Sequence, residues 1–324
     1  MRSATRAPIL PDDMKLYRTI DEIEPDLQDR ETVLTIGTFD GVHRGHRMVL
    51  EACLGAARSS NRRSMVITFA QHPLSLLRPV EAPLLLTTPE RKLELLTAIG
   101  LDAIVFLDFT PELAMIEAED FTNDLLFARC GATVIICGHD FKFGRYGRGS
   151  PDTISSLGLQ KGVHVVPIPP FTDTGQPVSS TRIREALRDG QIEYANEMLG
   201  RPYDMDGRVV AGFRRGRAMS FPTANLVVSP SLCVPAQGVY AVRARTPGGE
   251  TRDGMINIGV APTFGLGESR LEAHLFDFSG DLYGSVMRVE FHKRLREERT
   301  FESAEALERQ LHLDKQAAVA ALRA

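Results

Sequence analysis

Two histidines beside a cluster of glycines are the first residues that could do chemistry, in the run T-I-G-T-F-D-G-V-H-R-G-H. His43 and His46 are three residues apart, so at a helix start both can point into one pocket. Gly37, Gly41 and Gly45 let the backbone approach a ligand closely, and a helix N-terminus favours phosphate. Two imidazoles there could stabilise charge that develops on a phosphate during a displacement. The alternative is a glycine-rich turn with one buried and one exposed histidine.

Two later segments also follow predicted strands and carry polar groups suited to a nucleotide. In G-H-D-F-K-F-G, Asp140 could bond a ribose or a base; the alternative is a polar turn capped by Gly144. In S-S-T-R-I-R, the groups of Ser180, Thr181 and Arg184 suit a polyphosphate; the alternative is a helix cap with solvated arginines. Because the carboxyl ends of parallel strands form a ligand edge, we expect both segments to converge on the histidines.

A second set of candidate groups lies in the C-terminal part of the chain. Thr223 and Asn225, in F-P-T-A-N, point to the same side of an extended backbone and offer the oxygen atoms that Mg²⁺ prefers. Glu272, in the alternating run L-E-A-H-L, is a candidate general base for a hydroxyl; the alternative is a solvated sheet face. Asn257 is either a ligand or a strand-edge amide. Arg296 either binds phosphate or joins a solvated charge cluster.

A glycine- and arginine-rich stretch, G-R-V-V-A-G-F-R-R-G-R, comes shortly before Thr223. It predicts a hairpin that contains Gly212 and has Arg214, Arg215 and Arg217 at its turn. This hairpin could be a flap over phosphates, or a flexible hairpin with solvated arginines. The sequence has no P-loop and no protein-kinase motif set, so a kinase built on this chain needs another phosphate cradle.

Two kinds of element would position these groups. In the first 190 residues, β-rich runs alternate with helical patterns, which predicts a parallel sheet with helices on both faces. The predicted strands are Thr32–Ile36, Ser64–Phe69, Ala103–Leu107, Thr133–Cys137 and Val163–Ile168. The predicted helices are Gly45–Arg58, Pro89–Ile99, Ala118–Ala128 and Asp152–Leu159.

After about Gly200, strands with period-two alternation take over. One example is the run in which Tyr240, Val242 and Ala244 would face one side of the strand. Ala241 would then lie on the opposite, solvent-exposed side. Such strands predict an antiparallel sheet or a small barrel. A final helix follows, with Ser303 as its cap and one apolar stripe formed by Leu307, Leu311, Ala318 and Leu322.

Composition sets the limits on the function. The chain has 324 residues, with 25% charged and 43% hydrophobic residues, which suits two globular domains. A net charge of −4 and the absence of tryptophan argue against a nucleic-acid partner. The apolar runs are too short to span a bilayer, so we expect no membrane partner. Scattered cysteines, with no C-x-x-C pair, predict neither zinc nor disulfides and favour the cytoplasm.

These motifs resemble those of the bacterial bifunctional riboflavin kinase/FAD synthetase family. G-x-F-D-G-x-H-x-G-H, G-x-D-F-x-F-G and S-S-T-x-I-R resemble the FAD synthetase half. Seven later segments resemble the kinase half and occur in the family's order. They are G-R-x-V-x-x-G, F-P-T-A-N, G-V-Y-A-V, N-I-G-x-x-P-T-F, L-E-x-H-L-x-D-F, D-L-Y-G and L-R-x-E-x-x-F. The resemblance implies a Rossmann-like nucleotidylyltransferase domain over 15–190. It also implies a six-stranded antiparallel barrel with a terminal helix over 195–324.

The resemblance also implies roles for individual residues. It implies that Glu272 is the catalytic base of the kinase. It also implies that His43 and His46 contact the ATP phosphates, and that Thr223 and Asn225 bind Mg²⁺. The expected nucleotide-binding residues are Gly37, Thr38, Phe39, Asp40, Gly45, Asp140, Ser180, Thr181, Arg184, Gly212 and Arg217. The family usually has asparagine at the position of Thr38 and glycine at that of Ser220, and we expect neither change to remove a ligand.

The implied function is ATP-dependent conversion of riboflavin to FMN, followed by adenylylation of FMN to FAD. The implied partners are the small molecules riboflavin, FMN and ATP, and we expect at most a weak homo-oligomer. Two other hypotheses remain at this point. One is an enzyme with a single activity, and the other is a non-catalytic flavin-binding protein that kept both pockets.

Overall fold

The computed structural model describes residues 11, 13–23, 31–210, 223–260 and 269–323. The chain divides into two compact units, Met1–Ser179 and Ser180–Ala324. This division lies at the start of the S-T-R-I-R segment. The domain limits of 15–190 and 195–324 stay a prediction.

The first unit is built around a six-stranded parallel sheet with the order β1-β4-β3-β2-β5-β6. The strands are β1 (Lys15–Tyr17), β2 (Thr32–Ile36), β3 (Arg63–Phe69), β4 (Ala103–Leu107), β5 (Ala132–Gly138) and β6 (His164–Ile168). Five of them confirm the predicted strands. Sequence reasoning missed the three-residue edge strand β1, which is too short for an apolar pattern to show.

Helices cover both faces of this sheet. They are α1 (Arg44–Ser59), α2 (Leu74–Leu77), α3 (Pro89–Thr97), α4 (Pro111–Ala114), α5 (Ala118–Asp120), which continues as a π-helix (Phe121–Arg129), and α6 (Pro151–Gly158). Short 3₁₀ turns (Arg145–Gly147 and Leu159–Lys161) and a small hairpin of β7 (Thr172–Asp173) and β8 (Gln176–Pro177) complete the unit. The apolar side chains form two buried clusters, so the central strands are apolar on both faces.

The strand order places a topological switch next to β2. The chain runs from β2 to β3 and then to β4 on one side, and it then crosses to β5 on the other side of β2. In open sheets of this kind, ligands bind beyond the carboxyl ends of the strands at such a switch. The segments that follow β2 and β5 are the ones that carry His43 and Asp140.

The second unit begins with two helices and continues as a closed barrel. The helices are α7 (Ser180–Arg188) and α8 (Ile192–Leu199). The barrel strands are β9 (Tyr203–Val210), β10 (Ala224–Val228), β11 (Gly238–Arg245), β12 (Thr251–Val260), β13 (Ser269–Leu275) and β14 (Val286–Arg296). They close antiparallel in the order β10-β13-β12-β11-β14-β9, which confirms the predicted barrel. The side chains of Tyr203, Tyr240 and Phe291 are fully buried, and both tyrosine rings contact the Phe291 ring.

The last helix, α9 (Ala304–Arg323), packs on the barrel and changes one expectation from the sequence. Ala241 was expected on a solvent-exposed face, but it is fully buried. It lies in an apolar cluster with Met255, Ala318 and Leu322, so α9 covers this patch of the strands. The predicted cap is confirmed, because the Ser303 hydroxyl accepts from the Ala306 N–H at 3.2 Å.

An internal ion pair ties the barrel to α9. Arg296 donates from Nε to Asp314 Oδ1 at 3.0 Å and from Nη2 to Asp314 Oδ2 at 2.8 Å. Gln310 donates to the same carboxylate at 2.7 Å. The Asp314 side chain is only 4% exposed. Arg296 therefore forms a structural ion pair with Asp314 and does not belong to a solvated charge cluster.

Replacing Asp314 with alanine is expected to destabilise the second unit. The change leaves Arg296 without its buried carboxylate, and we expect the free energy of unfolding to fall by about 3 kcal/mol. Urea unfolding followed by circular dichroism measures this change. The control is Glu308→Ala, an exposed position on the same helix. An equal effect of both substitutions would show that the ion pair adds nothing.

Candidate active sites

The two histidines lie at the start of α1, directly beyond the carboxyl end of β2. His43 is the N-cap of α1, and its Nδ1 accepts from the His46 backbone N–H at 3.2 Å. The neutral His43 ring therefore carries its proton on Nε2. The two rings stack with centroids 3.6 Å apart and an interplanar angle of 17°. The structure thus brings both predicted residues together at a helix N-terminus that suits a phosphate.

The backbone between β2 and α1 is strained. Phe39 has φ of 46° and Val42 has φ of 41°, alongside Gly41 at 83°. Left-handed backbone at a non-glycine residue costs about 1–3 kcal/mol and persists only where surrounding contacts hold it. This loop, residues 37–43, is named the β2–α1 loop below. Strain of this kind is typical of sites where geometry matters for function.

The Asp40 carboxylate supplies some of those contacts. Asp40 is 2% exposed, and its Oδ1 accepts from the backbone N–H groups of Leu86 at 3.0 Å and Thr87 at 3.2 Å. The Gly41 N–H donates to the Thr87 hydroxyl at 3.3 Å. Asp40, which the sequence placed at the nucleotide, thus holds the β2–α1 loop against the segment before α3.

Two glycines of the motif make room for aromatic rings. A Cβ on Gly37 would lie 3.2 Å from the Phe39 ring, and a Cβ on Gly45 would lie 3.2 Å from the His43 ring. These glycines are therefore explained by close packing of the side chains that shape the site. Thr38 is half-buried, and its carbonyl accepts from the Thr68 hydroxyl at 3.2 Å.

Gly45→Ala is expected to reduce any reaction that uses His43, by about tenfold, because the new methyl group displaces the ring. Gly55→Ala is the matched control, since it lies in the same helix and a Cβ there meets no atom within 4 Å. The control should stabilise the protein by about 0.5–1 kcal/mol. Comparing initial rates and thermal midpoints of the two variants tests both expectations. Equal activity of the two would contradict the packing argument.

Asp140 lies in the segment after β5, the strand next to β2 in the sheet. Its side chain is 84% exposed, with the His139 ring at 3.9 Å. In the same segment, the Phe141 and Phe143 rings stack on each other, with centroids 5.4 Å apart. Asp140 is therefore open to a ligand at the same sheet edge as the histidines.

The S-T-R-I-R segment opens α7, the first helix of the second unit. Ser180 is half-buried, Thr181 is exposed and Arg184 is 5% exposed. Their convergence with the histidines stays a prediction. Gly212 and Arg217, both expected to bind nucleotide, lie outside the described residues.

The barrel aligns three polar residues across three neighbouring strands. Glu272 on β13 lies directly opposite Asn225 on β10 and directly opposite Asn257 on β12. Directly opposed residues of antiparallel strands share a sheet face, with Cβ atoms about 4.5–5.5 Å apart. Leu271 and Ala273, which flank Glu272, are buried on the other face. The sequence identified each of these polar residues separately, and the strand register makes them one row.

A cation completes this row. The Arg270 guanidinium donates to Glu272 Oε1. The Glu272 side chain is 22% exposed, so solvent can reach it. Sequence reasoning missed Arg270; its only signal was the i, i+2 spacing from Glu272. The pair fixes the orientation of the carboxylate.

The oxygen donors near this row fit a metal that also binds substrate phosphates. Thr223 precedes β10 by one residue, and Asn225 is the second residue of that strand. Among the described residues, no three His, Cys, Asp or Glu side chains group as a metal site. A hydroxyl and an amide supply too few ligands alone, so Mg²⁺ here would need oxygens from ATP.

The cysteines have no part in either site. All four are buried and free: Cys53, Cys130, Cys137 and Cys233. Burial raises the pKa of Cys53 and of Cys130 to about 12. These thiols remain protonated at neutral pH and are poor nucleophiles.

Comparisons with known proteins agree with two sites on one chain. The family model described as FAD synthetase matches residues 26–182, and the one described as riboflavin kinase matches residues 199–322. The bifunctional riboflavin kinase/FMN adenylyltransferase of Escherichia coli K12 is 36% identical over 302 residues, covering 93% of this chain and 96% of the relative. The Bacillus subtilis protein of the same description is 34% identical over 297 residues, covering 90% and 93%.

The chain belongs to the bifunctional riboflavin kinase/FMN adenylyltransferase family. A solved structure described as a macrolide-efflux protein from Streptococcus pneumoniae has the same fold, with a TM-score of 0.85 and 30% identity, over 94% of this chain and 98% of that one. In the described part of this chain, however, every helix is too short or too polar to cross a membrane. The adenylyltransferase half carries the histidine pair, and the kinase half carries the Glu272 row.

Proposed function

We propose that this chain phosphorylates riboflavin with ATP to give FMN and then adenylylates FMN with a second ATP to give FAD. The observation that carries the proposal is the presence of two independent sites on one chain. One is a helix start with two histidines at a sheet switch point. The other is a carboxylate between two amides on a barrel face.

In the kinase reaction, Glu272 accepts the proton of the terminal ribityl hydroxyl. The hydroxyl oxygen bonds to the γ-phosphorus of ATP, the bond to the β,γ-bridging oxygen breaks, and ADP leaves. Thr223 and Asn225 would hold Mg²⁺, which when bound offsets the charge of the phosphates. Asn257 and Arg270 keep the Glu272 carboxylate facing the hydroxyl.

In the adenylyl transfer, a phosphate oxygen of FMN bonds to the α-phosphorus of ATP and pyrophosphate leaves. No protein nucleophile is needed, because the FMN phosphate already is one. His43 and His46 donate hydrogen bonds to the α-phosphate as charge develops on it. Ser180, Thr181 and Arg184 hold the leaving pyrophosphate, which their hydroxyl and guanidinium groups suit.

The remaining assignments concern partners and location. The partners are the small molecules riboflavin, FMN and ATP, with no nucleic acid and no membrane, and any homo-oligomer is weak. Four buried free thiols support a reducing compartment, so we place the protein in the cytoplasm.

Radiolabelled ATP tests the two reactions separately. With riboflavin, label in the γ-phosphate of ATP should enter FMN and, through FMN, the FAD made from it. With FMN supplied instead, label in the α-phosphate should enter FAD and label in the γ-phosphate should leave as pyrophosphate. Label from the α-phosphate in FMN, or label from the γ-phosphate in FAD made from supplied FMN, would contradict the proposed bond-breaking pattern.

A further inference from the structure

A lysine ammonium group is buried beneath the β2–α1 loop. Lys92, on α3, is 3% exposed. Its Nζ donates to the Thr38 carbonyl at 3.1 Å and to the Phe69 carbonyl at 2.5 Å. Lysine is almost never fully buried unless its charge is paired or hydrogen-bonded, so its presence here requires a reason.

The two carbonyls mark the ligand edge of the sheet. Phe69 is the last residue of β3, and Thr38 is two residues beyond the end of β2. Lys92 therefore links the end of β3 to the start of the β2–α1 loop. Asp40 and Thr87 supply the further contacts described above. The strained backbone at Phe39 is thus held by contacts on the residues before and after it.

We propose that Lys92 is a positioning residue for adenylyl transfer, which holds the Thr38 carbonyl and thereby the path of the loop that carries His43. This inference rests on the proposed function, because it needs the loop to bind ATP. Lys92 acts through the backbone and not on the substrate. A hydrogen bond from an ammonium group is about twice as strong as one from a neutral amine.

The charges around Lys92 make this role dependent on pH. Burial lowers the pKa of Lys92 to about 8, and the field of Asp40 partly opposes this shift. The Phe106 ring of β4 lies 5.8 Å from Nζ, and Arg18 lies over the same ring at 5.1 Å. On its own helix, Arg91 pairs with Glu94.

The sign of the pH effect follows from the lowered pKa. Below about pH 8 the ammonium group is charged and holds the loop strongly. Above that pH the neutral amine binds the carbonyls more weakly, so adenylyl transfer should decline. The kinase reaction uses the other unit, so the ratio of FAD formation from FMN to FMN formation corrects for the amount of folded protein. The pH effect of Lys92 is then the difference in this ratio's pH dependence between wild type and a variant without the ammonium group.

The test compares Lys92→Met and Lys92→Gln with wild type, at pH 7 and pH 9. The control is Lys161→Met, which removes an exposed ammonium group of the same unit. We expect the FAD-to-FMN rate ratio of Lys92→Met to fall about tenfold at pH 7. From pH 7 to pH 9, the ratio should fall about fivefold more in wild type and the control than in Lys92→Met. Lys92→Gln should lie between them at pH 7.

Each outcome decides the inference. A Lys92→Met ratio equal to wild type at pH 7, or one with the same fall at pH 9, would overturn it. If Lys92→Met lowers both activities equally, so that the ratio stays at the wild-type value, the substitution has only reduced the amount of folded protein. That result would also overturn the inference. Failure of wild type itself to make FAD from FMN would instead overturn the proposed function.

Discussion

Glu272→Gln is expected to reduce FMN formation by about 10²–10⁴-fold, because the amide cannot accept the ribityl proton. FAD formation from supplied FMN should be unchanged. Both rates are measured by chromatography of the flavins from the same preparation. The near-isosteric substitution keeps the side-chain volume, so the loss reflects chemistry and not packing.

The reason for this large effect is the position of Glu272 in its row. Asn225 and Asn257 lie on either side of it, and Arg270 fixes its carboxylate. The matched control is Glu250→Gln, an exposed barrel carboxylate in a surface ion pair with an arginine. The control should keep both activities. Full kinase activity in Glu272→Gln would show that Glu272 is not the catalytic base.

His43→Asn is expected to have the opposite effect, reducing FAD formation from FMN by about 10²–10³-fold while the kinase is unchanged. Asparagine is a strong N-cap, so it can still accept from the His46 N–H and keep α1 intact. The substitution therefore removes the imidazole donor and retains the helix start. Combining it with His46→Gln should reduce the rate further.

The matched control for the histidines is His164→Asn. His164 is exposed at the first residue of β6, at the amino end of the strand and away from the ligand edge. Initial rates for FMN adenylylation and thermal midpoints should be measured for all variants. If His43→Asn and His164→Asn have the same FAD-forming rate, the histidine role is wrong.

The central strands and the histidine motif were accessible from the sequence. Strands such as Ala103–Leu107 are uninterrupted apolar runs, because a parallel sheet covered by helices is buried on both faces. The helix that begins at Arg44 has an apolar stripe at helical spacing, with Val49 and Cys53 buried. Local sequence pattern decides features of this kind.

The features that the sequence did not predict depend on contacts between residues far apart in the chain. No local pattern tells that Glu272 lies opposite Asn257, because strand register is set by the whole barrel. Ala241 looked solvent-facing, since the helix that covers it lies more than sixty residues later. No sequence pattern sets Lys92 apart from the other two charged residues of P-E-R-K, and only the sheet places its ammonium group under the β2–α1 loop.

The most direct test of the account is a single reaction with riboflavin, ATP and Mg²⁺, followed over time by chromatography. The account predicts that FMN accumulates first and that FAD then forms from it, with one preparation of this chain catalysing both steps. Formation of FMN with no FAD, even after FMN is supplied directly, would contradict the claim that one chain carries both active sites.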